Sequence, residues 1–154
     1  MSYLIAKWLH VLSSTLLFGT GLGSAYYMFV ASRTKDPRVA AVVARHVVRA
    51  DWLFTSTTVV FQPLSGLYMA HLAQLPITTP WIFWSIVLYL AAGACWLPVV
   101  WMQIRMRDMA DEAVAAQRPL PEVYFRYLRI WTALGVPAFT ALVIVFWLMV
   151  SKPL

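Results

Sequence analysis

His10 is the residue of this chain best placed to do chemistry. It sits two turns into an apolar run, and Ser13, Ser14, Leu17, Gly21, Ser24 and Met28 follow it at helical spacing on one stripe. A histidine turned into a helix bundle can ligate haem iron or copper through one ring nitrogen while the other bonds a neighbour. The plainer reading is an interhelical hydrogen bond. His71 lies at a similar depth from the same side, and two histidines at one level suit a bis-histidine haem or a metal held by His10 and His71. His71 is, however, about half a turn out of phase with the polar stripe Asp51, Thr55, Thr58, Gln62, Ser65, Gly66 and Met69. It faces that stripe only if Pro63 rotates the helix end. Met69 is on the stripe and is a soft alternative as axial ligand. His46, among Arg45 and Arg49, reads as solvated or lipid-facing.

Asp51 opens the polar stripe where an apolar stretch begins, a costly place for an unpaired carboxylate. An ion pair with Arg126 or Arg129 is the expected relief, with a part in a proton or quinone site as the sharper alternative. The single cysteine, Cys95, allows no disulfide within the chain and reads as a small apolar residue. No phosphate loop, dinucleotide glycine fingerprint, HExxH or nucleophile elbow occurs.

The elements that must position these groups follow from charge. No charged residue falls between Asp51 and Arg105. As one helix the stretch Trp52–Ile104 would run about 80 Å, against a hydrocarbon core of about 30 Å, so it holds two crossings. Two flanking charge-free runs, Trp8–Ser32 and Ile130–Ser151, hold one each. The expectation is a single all-α membrane domain over residues 1–154, an up-down bundle of four transmembrane helices at about 3–32, 38–73, 80–116 and 122–150. Composition agrees: 62% hydrophobic, 12% charged and a mean hydropathy of +0.72, where soluble domains carry about 25% charged residues. Asp36 and Pro37 suit the start of the second helix, and Pro119 and Pro121 end the third. Pro63, Pro98 and Pro137 fall inside helices, and Pro63 should free a carbonyl. Small and polar residues mark packed faces in membranes. Gly19 and Gly23 form a GxxxG, read as a close approach of another helix or a bare backbone for a flat cofactor. In the third helix Ser85, Tyr89, Ala92, Trp96 and Gln103 share a side.

The net charge of +6 reflects loop charges rather than nucleic-acid binding. Arg33, Lys35, Arg38, Arg45 and Arg49 lie between the first two spans, and Arg105, Arg107, Arg118, Arg126 and Arg129 between the last two. Lys7 and Lys152 alone lie on the other side. The positive-inside rule then puts both termini outside, in a bacterial inner membrane. Tyr3, Trp8, Trp81, Trp84 and Trp147 form the outer aromatic belt, and Trp52, Trp101, Tyr124, Tyr127 and Trp131 the inner one. The N-terminal run is too long for a cleavable signal and reads as a retained span.

The segments "KWLHVLSSTLLFGTGLGSAYYMF", "RADWLFTSTTVVFQPLSGLYMA", "WLPVVWMQIRMRDMA" and "RIWTALGVPAFTALVIVFWLMVSKP" resemble a bacterial family of predicted integral membrane proteins of uncharacterised function, across essentially the whole chain. The resemblance implies a four-helix bundle and transfers no activity. A more distant likeness is to HemJ-type protoporphyrinogen oxidases and CopD-type copper-resistance proteins, through His10 with Gly19 and through Pro63 and Gly66 in "QPLSGLY". That likeness implies haem ligation by His10. The lysine of the HemJ-type third helix is missing, Ser85 standing about where it would be, which argues against protoporphyrinogen oxidation. The expected function is binding of b-type haem near the outer face through His10, with His71 or Met69 as second ligand. Electrons would pass to quinone or a membrane redox partner. The alternatives are a cofactor-free accessory subunit in a homo-oligomer or larger complex, and copper passage using His10 and the methionines.

Overall fold

Asp36 and Pro37 start the second helical rod as their types require. The Asp36 carboxylate accepts from the Arg38 backbone N–H at 2.8 Å, and Pro37 takes the first helical position. In this computed structural model, which describes residues 1–153, the helices are α1 (Ser2–Arg33), α2 (Pro37–Ala50), α3 (Ser56–Leu72), α4 (Pro80–Ala115) and α5 (Glu122–Ser151). A π-helical turn, Asp51–Thr55, joins α2 to α3 without interrupting the rod. The described residues contain no strand. Lys35, Gln74 and Gln117 take left-handed backbone just beyond three of the helix ends. After α3 and α4 this closes the last turn, with Leu75 N–H bonding Ala70 O and Arg118 N–H bonding Ala113 O.

α4 and α5 are each long and apolar enough to cross a membrane. The two pack along each other, α3 packs on α1, and α2 packs between α4 and α1. Large apolar side chains face outward from every long helix, among them Leu4, Trp8 and Leu22 of α1, Leu64 of α3, Leu90 and Leu97 of α4, and Val136 and Trp147 of α5. A soluble protein rarely exposes so much continuous apolar surface.

The interior divides into two parts. Around α2, the distal half of α4 and the start of α5 lies a continuous apolar core. Met28, Ala40, Ala44, Val47, Met102, Met106, Ala110, Ala113, Tyr124, Leu128 and Trp131 are buried in it. Alanines on α2 and α4 let these helices approach, and Met106 and Tyr124 are completely buried. The Tyr124 hydroxyl lies 2.7 Å from Ser32 Oγ, whose own proton goes to Met28 O at 2.7 Å, so Tyr124 is the donor. An exposed Arg45–Asp111 pair at 3.1 Å ties α2 to α4.

The other part lies between the first half of α1, α3, the first half of α4 and the last half of α5. Its buried residues mix polar groups, His10, Ser13, Thr58, Gln62, Ser65 and Ser85, with the apolar Leu17, Ala70, Ile82, Ala92, Ala141 and Val145. Pro63 has no N–H to give Val59 O, and the hydroxyl of Tyr89 on α4 supplies one at 2.8 Å. α1 meets α5 through Phe18, stacked edge-on against Phe139 and Phe146 at 5.6 and 5.4 Å. Phe139 also lies over Gly21, where an added Cβ would meet its ring at 3.4 Å.

Candidate functional site

The polar stripes of α1 and α3 face each other, and His10 is where they meet. It is 7% exposed, and its Nδ1 lies 2.7 Å from Ser65 Oγ. The Ser65 hydroxyl has one proton and gives it to Phe61 O, 2.7 Å away in the preceding turn. With that proton on Phe61 O, Ser65 Oγ accepts from His10 Nδ1–H, and a neutral ring in this tautomer has its Nε2 lone pair free. Gly66 lies beside the ring, where an added Cβ would make an ordinary van der Waals contact with His10 Cε1 at 3.5 Å. One turn from each partner, Ser13 Oγ and Gln62 Oε1 are buried without a hydrogen-bond partner. Orphaned buried polar atoms are uncommon, and here they lie on the same seam as the free imidazole nitrogen. An open apolar groove of about 490 Å³ runs beside the seam, between Ile5, Ala6 and Leu9 of α1 and Phe61 and Tyr68 of α3, with Ser65 on its wall.

The other residues singled out by sequence take different places. Met69 is half-buried one turn beyond Ser65 on the same face of α3. His71 is exposed, so Pro63 does not turn it onto the seam. No group of three or more histidines, cysteines, aspartates or glutamates suited to a metal occurs among the described residues. Gly19 and Gly23 do not receive a helix of this chain: a Cβ added at either meets nothing within 4 Å. The close α1 contact is at Gly21 instead, because Phe139 projects onto that face.

Asp51 is also placed differently from expectation. Its carboxylate is 5% exposed and accepts from Thr55 Oγ1 at 2.9 Å, with the Gln103 amide of α4 beside it. It forms no ion pair with Arg126 or Arg129. The reason is register on α5, where Tyr124, Leu128 and Trp131 take the buried face and Arg126 and Arg129 fall on the exposed one. Sequence reasoning did not connect Gln103 with Asp51. The available signal was that each is the last polar residue of its stripe at the same end of the bundle.

Neither a curated protein nor a solved structure matches the chain. Residues 4–153 match the family model described as "Predicted integral membrane protein (DUF2269)", and the chain belongs to that family.

Proposed function

We propose that this chain is a four-span protein of the bacterial inner membrane, with both termini outside, that binds b-type haem in the His10 seam and passes electrons to quinone or a membrane redox partner. Ten of its basic residues fall in the two loops assigned to the cytoplasm, which supports the orientation. The rods α1 and α2–α3 carry outward apolar faces like those of α4 and α5, which supports four crossings rather than two.

The observation that carries the haem reading is the His10–Ser65 bond. It holds the imidazole in one orientation and leaves Nε2 as the ligating atom, the arrangement in which an outer partner fixes a metal-bound histidine. Met69 is the better second ligand, since it shares the face of α3 that carries Ser65, whereas His71 points away. Ser13 and Gln62 fit the polar edge of a bound group, because both hold buried atoms that lack partners. Bound haem would supply a one-electron couple tuned by its axial ligands. The test is the absorbance of protein purified after haem-replete expression. A Soret band that tracks the protein and disappears in His10→Ala is expected. A folded wild-type protein that stays colourless with added haemin overturns the reading.

A second reading, that the chain is an accessory subunit or forms a homodimer, is favoured by the bare strip at Gly19 and Gly23. Small residues that meet nothing in their own chain suit a helix from another. Gly23→Leu should then abolish the association seen in gentle detergent, and an unchanged monomer in both proteins would end that reading.

A further inference from the structure

The seam between α4 and α5 carries a second constellation at its basic end, away from His10. Trp101 of α4 and Tyr127 of α5 meet there, with ring centroids 5.7 Å apart and planes tilted at 48°. Trp101 is 54% exposed, so the pair stands at the outer edge of the helix contact and not in the core. On α4, Leu97, Trp101 and Arg105 follow one another at spacings of four, which puts them on one face. On α5, Val123, Arg126, Tyr127 and Ile130 share a face in the same way. Both arginines are exposed, and so are Leu97, Val123 and Ile130. The two helices change character at the same level. The charge-free run of α4 ends at Ile104 and that of α5 begins at Ile130, so Arg105 and Arg126 lie on the charged side of the aromatic pair.

No carboxylate neutralises these two cations. Among the described residues none lies within 4 Å of Arg105 or Arg126. Asp108 is held by Arg107 through Nε at 2.9 Å and Nη2 at 2.7 Å, and Glu112 lies 3.8 Å from Arg118. Glu122, one turn before Arg126, is not paired with it. A guanidinium fork matches the oxygens of a phosphate. Tryptophan and tyrosine sit at headgroup depth, and basic groups beside spans attract anionic headgroups. Leu97 and Ile130 continue the same two faces into the charge-free part, where acyl chains lie. We propose that this seam binds one anionic phospholipid. Its phosphate sits between Arg105 and Arg126, its glycerol region on the Trp101–Tyr127 pair, and its acyl chains along Leu97 and Ile130. The apolar continuation is what distinguishes a lipid from a soluble acidic partner, which would use the arginines alone. The proposal rests on α4 and α5 crossing the bilayer, for which both are long and apolar enough, and not on haem.

The test uses the full-length protein in mild detergent, titrated with phosphatidylglycerol or with phosphatidylcholine, with bound lipid counted by native mass spectrometry. Phosphatidylglycerol should saturate at one tightly held molecule per chain. Phosphatidylcholine, whose headgroup has no net charge, should bind at least about tenfold more weakly. Arg105→Gln and Arg126→Gln should each weaken phosphatidylglycerol binding about tenfold, the loss of one charge-assisted contact. Arg38→Gln, at an exposed arginine outside the seam, should leave it unchanged. Free glycerol phosphate, a headgroup without tails, should not displace the lipid. The three arginines are exposed, so each variant should keep the wild-type unfolding temperature, which checks folding. Equal affinity for the two lipids, no saturable binding, or binding that survives both seam substitutions would each overturn the proposal. Equal loss in Arg38→Gln would do so by showing a diffuse basic surface, and displacement by glycerol phosphate by showing a site for soluble anions. Colourless protein serves as well as coloured protein, so the fate of the haem reading does not decide this test.

Discussion

The two halves of this bundle solve the same packing problem with different chemistry. Around α2 and the distal part of α4, the chain buries methionine, alanine, leucine and two aromatic rings; its Tyr124–Ser32 link is satisfied, while Trp131 Nε1 is buried without a partner. Around His10 it buries hydroxyls, an amide and an imidazole, and leaves Ser13 Oγ and Gln62 Oε1 without partners. Much of the apolar core, including Ala40, Ala44, Val47, Met106, Ala110 and Ala113, lies among the charged residues flanking the charge-free runs, where water supplies a hydrophobic driving force and apolar residues hold the helices. Within lipid that force is lost between helices, and polar seams and small residues take over. The difference teaches that one half is held mainly by apolar packing, while the other sets an imidazole, an amide and hydroxyls along its seam.

The largest effect should come from breaking the apolar half. Met106→Ala removes a completely buried side chain and should cost about 2–5 kcal/mol in reversible unfolding from mixed micelles. A cost below about 1 kcal/mol would mean that this region is not a packed core. Next comes Tyr89→Phe, which strips the donor from the carbonyl that Pro63 leaves bare and should cost about 1–2 kcal/mol. Restoring the N–H with Pro63→Ala should erase most of that cost, and additive effects in the double-mutant cycle would show that Tyr89 does not serve this carbonyl. The smallest effect belongs to the seam. Ser65→Ala should cost only about 0.6 kcal/mol, because polar contacts between membrane helices are weak in net terms, yet it should loosen haem retention by freeing the His10 ring. A stability loss as large as that of Met106→Ala would make the seam a structural core like the other half.

Much of this was readable from residue types. The stripes from His10 to Met28 and from Asp51 to Ser65 are the faces that the structure buries, since small and polar residues at helical spacing have nowhere else to go in an apolar helix. The freed carbonyl at Pro63 was expected from proline chemistry, but its rescue by Tyr89 needs two helices brought together, which no local pattern encodes. The π-turn at Asp51 was invisible for the same reason: local propensity allows an α-helix there, and tertiary packing sets the extra residue. The ion pair assigned to Asp51 failed because opposite charges at the same depth were matched without the register of α5. The spacing of Tyr124, Leu128 and Trp131 already placed Arg126 and Arg129 on the far side. Gly19–Gly23 reads as a packing motif in any sequence, and whether the partner helix belongs to the same chain is not written in it.

The reduced-minus-oxidised absorbance spectrum of the purified protein, beside that of His10→Ala, tests most directly whether the polar half exists to hold a redox group. One b-type haem per chain in the wild type, and none in a variant that unfolds at nearly the same temperature, is the predicted result. Equal haem content in the two proteins, or none in either after haem-replete expression, would contradict the account.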